Sequence, residues 1–338
     1  MRVQGVPAIT AQAKTDKSAR GWSVGRRLTM LVVCVAVSMA LLAAGIVLQL
    51  AQSDGAARRE AIAYSAKTIR AAVDGQLEKL IVIGRIFSAS PSLERGEFAE
   101  FRREAEQALQ GVKGIWVVVA DPAGQQIVNL ATPPGAPLPK RAPEGIATQR
   151  RAFESKKPEI SNIFTGVYTK KPIVTVELPL FRDNAPLYVV AVAVDVTQFL
   201  GLLSREQMPE GWLAGILDRR GDFIARTLDH ERMVGKPAAA GWRTIMNRDG
   251  LFEFTVLEGD TIVEANVVSA LSGWAIGVAA NKAVFDASLW QGLGAAALGG
   301  GAIALVGALL AMTMARSMTR PAGGLEKSAH ASEASDRA

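Results

Sequence analysis

Arg150 and Arg151 are the residues of this 338-residue chain best suited to gripping an anion. A planar guanidinium can hold a carboxylate through two parallel hydrogen bonds. Phe153 follows two positions later, and Trp116, Phe164 and Tyr168 are aromatics that can enclose an apolar body. Thr175 and Glu177 alternate with Val174 and Val176 in IVTVELPLF, so they share one face of a strand, for which solvent is the default. Asp195 closes the run APLYVVAVAVD, where its carboxylate can meet a ligand or accept a backbone amide at the start of the next helix. Together these residues suit noncovalent binding of a small organic acid. The plainer readings beside it are a solvated helix face for the two arginines and core packing for Phe153, Phe164 and Trp116.

Catalysis finds no foothold. The histidines are His230, in LDHERM, and His330, in EKSAHASEASD; the one cysteine is Cys34. No HExxH, CxxC, GxSxG or GxxxxGK[ST] occurs, and no metal ligands pair at helical spacing, so no cofactor, no metal and no enzyme activity are expected. The 24 residues from Ala315 to Ala338 are too few for a nucleotide-binding domain, since domains rarely fall below about 50 residues. An output domain on a partner, or on a longer chain, is therefore expected.

The elements that must position these residues begin with two apolar runs. Leu28 to Leu50 carries no charge over 23 residues, and 29 uncharged residues lie between Asp286 and Arg316. Each can cross about 30 Å of hydrocarbon as a helix. The bland alternatives are a cleaved leader for the first and a buried core helix for the second. Gly299, Gly300, Gly301 and Gly307 would suit close helix approach. The net charge of +6 is concentrated at the ends: residues 1–27 carry +5 and residues 315–338 carry +1, leaving a neutral body. That distribution favours a membrane surface and argues against nucleic acid. Arg20, Arg26 and Arg27 before the first run, and Arg316 and Arg320 after the second, place both termini in the cytoplasm. The segment between would then lie in the periplasm of an inner-membrane protein.

That segment opens with one apolar stripe, Ile62, Ala66, Ile69, Val73, Leu77, Leu80 and Phe87, which predicts a stalk helix nearly continuous with the first span. GEFAEFRREAEQALQ predicts a shorter amphipathic helix. The hairpin phrase VVADPAGQQIV then recurs 97 positions later as ILDRRGDFIAR, aligning Asp121 with Asp218, Gly124 with Gly221 and Ile127 with Ile224. After the first hairpin come a short helix near Ile146 to Ser155, two strands joined at Arg182-Asp183-Asn184, and a linking helix from Val196 to Glu206. After the second come strands within TIMNRDGLFEFTVLEGDTIVEANVV and GWAIGVAAN. The shared order predicts an α+β duplication, two small domains each with an antiparallel sheet of about five strands and helices on one face. The resulting divisions are a basic tail (1–27), a first span (28–50), stalk and amphipathic helices (51–110), a membrane-distal domain (111–205), a membrane-proximal domain (206–286), a second span (287–314) and a cytoplasmic end (315–338).

These residues resemble the double Cache, or tandem PAS-like, extracytoplasmic sensors of bacterial receptors. The likeness rests on the long helix leaving the first span, the paired D-x-x-G hairpins, Ser161-Asn162-Ile163-Phe164, Val194-Asp195-Val196, and GWLAGILDRRGDFIAR through LSGWAIGVAA. Ala315 to Pro321, with Leu325, is similar to the opening of a HAMP linker. The resemblance implies a homodimeric receptor that binds a small molecule in the distal half and signals to a cytoplasmic kinase or other output, as in the N-terminal part of a sensor histidine kinase. It implies ligand roles for Arg151-x-Phe153 and Asp195. Phe164 and Gly166 stand where amino-acid-binding members carry Tyr-x-Asp, so the carboxylate for an ammonium group is missing and an ordinary α-amino acid is not expected. Two other classes stay open: a membrane adaptor whose outer domain binds another protein, and a secreted enzyme with a cleaved leader.

Overall fold

A computed structural model describes residues 24–203, 208–255 and 259–318. Most of the basic tail, His330 and most of the HAMP-like stretch lie outside the described residues. The chain divides into two compact units, one comprising Gln52–Ser288 and the other the two terminal stretches.

In the terminal unit two helices are long and apolar enough to cross a membrane. One is the first part of α1 (Val24–Ser88) and the other lies in α8 (Lys282–Met318). Only 6 % of the most apolar window of the first and 0 % of the second is buried within the chain, unlike the mostly buried core helix of a soluble domain. A Cβ added at Gly300 would lie 3.3 Å from Ala40, and one at Gly307 3.3 Å from Val32, so the two helices approach closely along that line. Gly299 and Gly301 face open space instead, because they fall on other sides of the helix.

α1 continues unbroken through the stalk region, and all seven residues of its apolar stripe are buried. Each large aliphatic side chain so placed contributes roughly 1.5–3 kcal/mol of apolar burial. α2 (Pro91–Glu94) and α3 (Phe98–Ala108) follow, with Phe101 and Ala105 turned inward.

The first sheet has six antiparallel strands, two beyond the four that the sequence phrases marked. β1 (Ile115–Ala120), β2 (Gln126–Asn129), β5 (Pro172–Arg182) and β6 (Ala185–Asp195) are the expected four; β3 (Glu159–Ile160) and β4 (Phe164–Thr165) are two-residue strands too short to leave a periodic signal. The order is β2-β1-β6-β5-β3, with β4 also on β5. β5 and β6 join through Asp183 and Asn184, both at positive φ, as a twist-matched two-residue hairpin requires. Val117, Val119 and Val190 pack against Phe87, Leu93 and Phe101 of the helices. The alternate residues Trp116, Thr175 and Glu177 therefore point to the opposite face, where α4 (Pro143–Ser155) crosses β5. α4 starts at Pro143, three residues before the expected Ile146, because proline is well tolerated in a helix's first turn.

After α5 (Thr197–Leu202) the second sheet repeats the plan with five strands in the order β8-β7-β11-β10-β9. These are β7 (Trp212–Leu217), β8 (Phe223–Arg226), β9 (Gly250–Thr255), β10 (Thr261–Val268) and β11 (Ala275–Asn281). Two single-turn helices, α6 (His230–Met233) and α7 (Ala240–Arg243), precede β9; Thr244 to Met246, expected within a strand run, are turn. The reason is packing: Ile245 and Met246 are buried with Trp242 against Leu217 and Phe223. α1 packs on both sheets, its stripe joining Val174, Val192 and Val194 of the first and Ile216, Ile276 and Val278 of the second in one core.

The two hairpin turns match hydrogen bond for hydrogen bond. The Gly124 amide donates to the Asp121 carbonyl, and Gly221 to Asp218, each at 3.0 Å. Arg141 N–H then donates to Gly124 at 2.9 Å, and Ala238 N–H to Gly221 at 2.8 Å. Both glycines hold positive φ, 81° and 84°, where a side chain is strained.

Candidate functional site

On the α4 face of the first sheet lies a cavity of about 40 Å3. Its aromatic wall is Trp116 from β1, Phe164 from β4 and Tyr168 from the loop after β4; its polar wall is Gln126 and Asn129 from β2, Arg141 before α4, and Thr175 from β5. The structure thus brings together four of the eight candidates, Trp116, Phe164, Tyr168 and Thr175. The rim is half exposed at Tyr168, and the floor is closed.

The polar wall is prearranged. Arg141 is 7 % exposed and Glu177 0 %, and they form a two-pronged ion pair, with Nη1 donating to Oε2 at 2.7 Å and Nη2 to Oε1. The Thr175 hydroxyl donates to Glu177 Oε1 at 2.6 Å, and Arg141 Nη1 also donates to Gln149 Oε1 at 3.0 Å. Asn129 Nδ2 donates to Gln126 Oε1 at 2.8 Å. The face carrying Thr175 and Glu177 is therefore buried, and the expectation of solvent there is corrected: α4 and the loop before it cover that side of β5. A buried carboxylate costs several kcal/mol unless paired, and Arg141 supplies the partner.

The other four candidates lie elsewhere. α4 turns Gly145, Thr148, Gln149 and Ala152 inward, a spacing of three and four, which leaves Arg150, Arg151 and Phe153 off that stripe. Arg150 and Phe153 line a separate surface hollow with Pro122 and Pro186, and Phe153 stacks edge-on against Phe181 at 5.8 Å. Arg151 donates to Thr148 Oγ1 at 2.9 Å and lies within 4 Å of Glu144 and Glu159. Asp195 accepts from the Thr197 amide at 3.0 Å and hydroxyl at 2.8 Å, holding the start of α5. These placements answer to helix phase and capping, and they separate the arginine pair from the aromatics.

Arg141, Gln126 and Asn129 were missed. One signal could have found the network: Glu177 is a lone acid in a strand apolar on both faces, and such a charge needs a buried partner. His230 has a structural place, its Nδ1 accepting the Arg226 amide at 3.4 Å. Among the described residues no group of three His, Cys, Asp or Glu side chains could hold a metal ion.

The second sheet carries a cavity of about 50 Å3 at the same positions. Strand registers pair Trp116 and Thr175 with Ala193, and Leu213 and Glu264 with Ala279. Aligned on the turns, Trp116, Gln126, Asn129, Arg141, Ala142 and Thr175 thus correspond to Leu213, Phe223, Arg226, Ala238, Ala239 and Glu264. All twelve line their respective cavities. The two halves are joined through the second turn. Asp218, fully buried, accepts the Ile163 amide at 3.2 Å, and Arg220 donates to the Ile163 carbonyl at 2.7 Å. Burial pushes the Asp218 carboxyl above the ordinary range despite the backbone amides that favour its charge.

No protein-family model matches the chain, and no curated protein does either. Solved structures do. The ligand-binding domain of the Pseudomonas fluorescens chemoreceptor CtaA, in complex with L-serine, is 16 % identical with a TM-score of 0.51, covering 69 % of this chain and 99 % of that one. The ligand-binding domain of the Campylobacter jejuni chemoreceptor Tlp3, in complex with L-valine, is 11 % identical with a TM-score of 0.51, covering 70 % and 97 %. The extracellular domain of a candidate histidine kinase, mmHK1S-Z3, is 13 % identical with a TM-score of 0.54, covering 72 % and 98 %. The segment between the two apolar helices thus has the tandem PAS-like fold of Cache-type sensor regions, as the sequence resemblance implied.

Proposed function

We propose that the chain is a membrane receptor whose outer segment binds a small organic acid in the cavity of the membrane-distal half, residues 111–205, and passes the event across the membrane to a cytoplasmic kinase or comparable output. The observation that carries the reading is the first cavity itself: a half-open aromatic mouth over a prearranged wall of Gln126, Asn129, Arg141 and Thr175, on a fold shared with ligand-binding receptor domains. The related chemoreceptor structures hold L-serine and L-valine. For this chain an organic acid is the better fit, because the one carboxylate behind the wall, Glu177, is committed to Arg141 and leaves an ammonium group without a counterion. Two helices able to span a membrane flank the segment, and the arginines outside them favour cytoplasmic termini with the sensor in the periplasm of the inner membrane. α1 runs from Val24 to Ser88, so one helix carries both the first apolar stretch and the buried stripe of the sensor, and a ligand-dependent shift is proposed to pass along it, alone or through a homodimer contact.

The test is thermal unfolding of the purified chain in detergent against panels of organic and amino acids. A ligand that binds only the folded state raises the midpoint. The expected hit is a carboxylate, weakened at least tenfold by Asn129→Ala. A chain stabilised by no small molecule and captured only by another outer-membrane-facing protein would support an adaptor instead. Cysteine cross-linking along residues 56–80, with and without the hit, tests the transmission route; identical patterns would argue against it.

A further inference from the structure

The cavity on the second sheet faces a polar group that its own half leaves half used. We infer that it is a separate binding site for a short neutral molecule carrying a carbonyl oxygen, an aliphatic ketone by class, recognised by the Glu264 carboxyl.

The site is built around a carboxyl that the fold has made room for. Glu264, 5 % exposed, accepts the Trp242 indole N–H through Oε1; among the described residues its Oε2 has no hydrogen-bond partner. Opposite it stands Gly277, where any Cβ would collide with that same carboxyl. In the first half the matching position is Thr175, whose hydroxyl is already committed to Glu177. The second half has no such internal partner, and a nine-tenths buried oxygen that lines a cavity is a recognition group. Around it the lining is apolar: Leu213 and Leu217 from β7, Phe223 from β8, Phe254 from β9 and Ile262 from β10. β11 offers only Gly277 and Ala279 there, and α7 only the Trp242 indole. Arg226 of β8 is the one other charged residue of the lining; it lies against the Phe223 ring at 5.3 Å and is engaged within the chain.

The class of ligand follows by elimination. An anion would need a free counter-charge, and Arg226 is already engaged. A cation would need an ionised acid, but burial raises the Glu264 carboxyl to about 8, outweighing the Trp242 bond and the charge of Arg226, which lower it. At neutral pH Oε2 therefore carries a proton and donates. A hydrocarbon would leave that donor unmatched. Water needs two to four polar partners, and these apolar walls offer little beyond the one carboxyl. A molecule with one acceptor oxygen and short alkyl arms answers both the donor and the walls. The cavity volume of about 50 Å3 keeps those arms short.

Butanone is the probe, titrated on the full chain in detergent by saturation-transfer NMR, with propionate and propylamine as charged counterparts of similar size. Binding on the order of millimolar is expected near pH 7, as suits so small a ligand. It should fall up to tenfold per pH unit above about 8, as Glu264 ionises and the donor is lost. Glu264→Gln keeps a neutral donor and should retain binding while losing that pH dependence; Glu264→Met, which removes the donor, should weaken binding at least tenfold. Ala239→Leu fills the cavity from its rim and should reduce the signal to detergent uptake alone, while the chain's own unfolding midpoint stays within a few degrees. Both charged probes should bind at least tenfold more weakly than butanone. The inference is overturned if butanone binds no better than to Ala239→Leu, if either charged probe matches it, or if the pH dependence survives Glu264→Gln. Thr175→Ala and Asn129→Ala, in the other half, should leave butanone untouched; loss through either would place it in the first cavity and overturn this inference alone. A silent organic-acid screen beside intact butanone binding would remove only the distal reading.

Discussion

The two halves of the sensor segment share a backbone plan and oppose each other in chemistry. Both hang a cavity beneath a D-x-x-G hairpin, with the same turn hydrogen bonds and lining positions in register. In the first, a buried acid is neutralised by a two-pronged arginine and the wall is amide and hydroxyl. In the second, the position of Arg141 is Ala238, that of Thr175 is Glu264, and the acid is neutralised by taking up a proton. Main-chain hydrogen bonding fixes where the hollow lies, and six side chains decide what it can hold.

The largest effect should come from the ion pair. Arg141→Ala leaves the fully buried Glu177 without its counter-charge and should cost about 3–5 kcal/mol in urea unfolding of the whole chain. Ala238→Ser, at the equivalent position of the second half, should cost well under half of that, because no charge depends on it. Next is pH. Glu264 has a folded value of about 8 against an ordinary carboxylate value of ~4.3, so the folded state binds the extra proton. Its contribution to stability is then full at and below the unfolded value and declines as pH rises between ~4.3 and about 8, by at most about 1.4 kcal/mol per pH unit. Glu264→Gln should flatten this part of the profile. The raised carboxyl of Asp218 tilts the curve the same way and should remain in that variant, so the difference between the two profiles isolates Glu264. A wild-type profile flat from pH 5 to 8 would refute the buried neutral acid.

Smaller and deliberately symmetric are the turn glycines. Gly124→Ala and Gly221→Ala both place a Cβ at positive φ, with Ile146 and Arg243 at 3.0 and 3.1 Å, and each should cost roughly 1–2 kcal/mol. Costs that differed by more than twofold would show that the halves have diverged in backbone as well as in lining. Smallest is the exposed pair Lys282 and Glu253, 2.7 Å apart and each 41 % exposed; Lys282→Ala should change stability by less than about 1 kcal/mol and not at all in high salt.

Much of the framework was legible in the sequence. A stripe of seven residues at helical spacing had to face something apolar, and all seven are buried. The repeated turn announced itself because glycine at positive φ and an aspartate that binds backbone amides are local requirements. Site residues were harder. Trp116, Phe164, Tyr168 and Thr175 converge, yet Arg150, Arg151 and Phe153 do not, since α4 begins at Pro143 and its buried stripe runs through Gln149 and Ala152. The acids that matter, Glu177 and Glu264, are lone charges in apolar strands, a signal that the sequence reading did not use, and their partners lie 36 residues before one and 22 before the other.

By itself the sequence determined what short-range physics controls: two uncharged stretches long enough for a bilayer, a stalk helix, and a duplicated hairpin with glycine at its positive-φ turn position. The tertiary structure alone decided which side chains share a cavity and which acid carries a proton. Those outcomes depend on the pairing of distant strands and on the exclusion of water, and neither is encoded in the spacing of neighbouring residues.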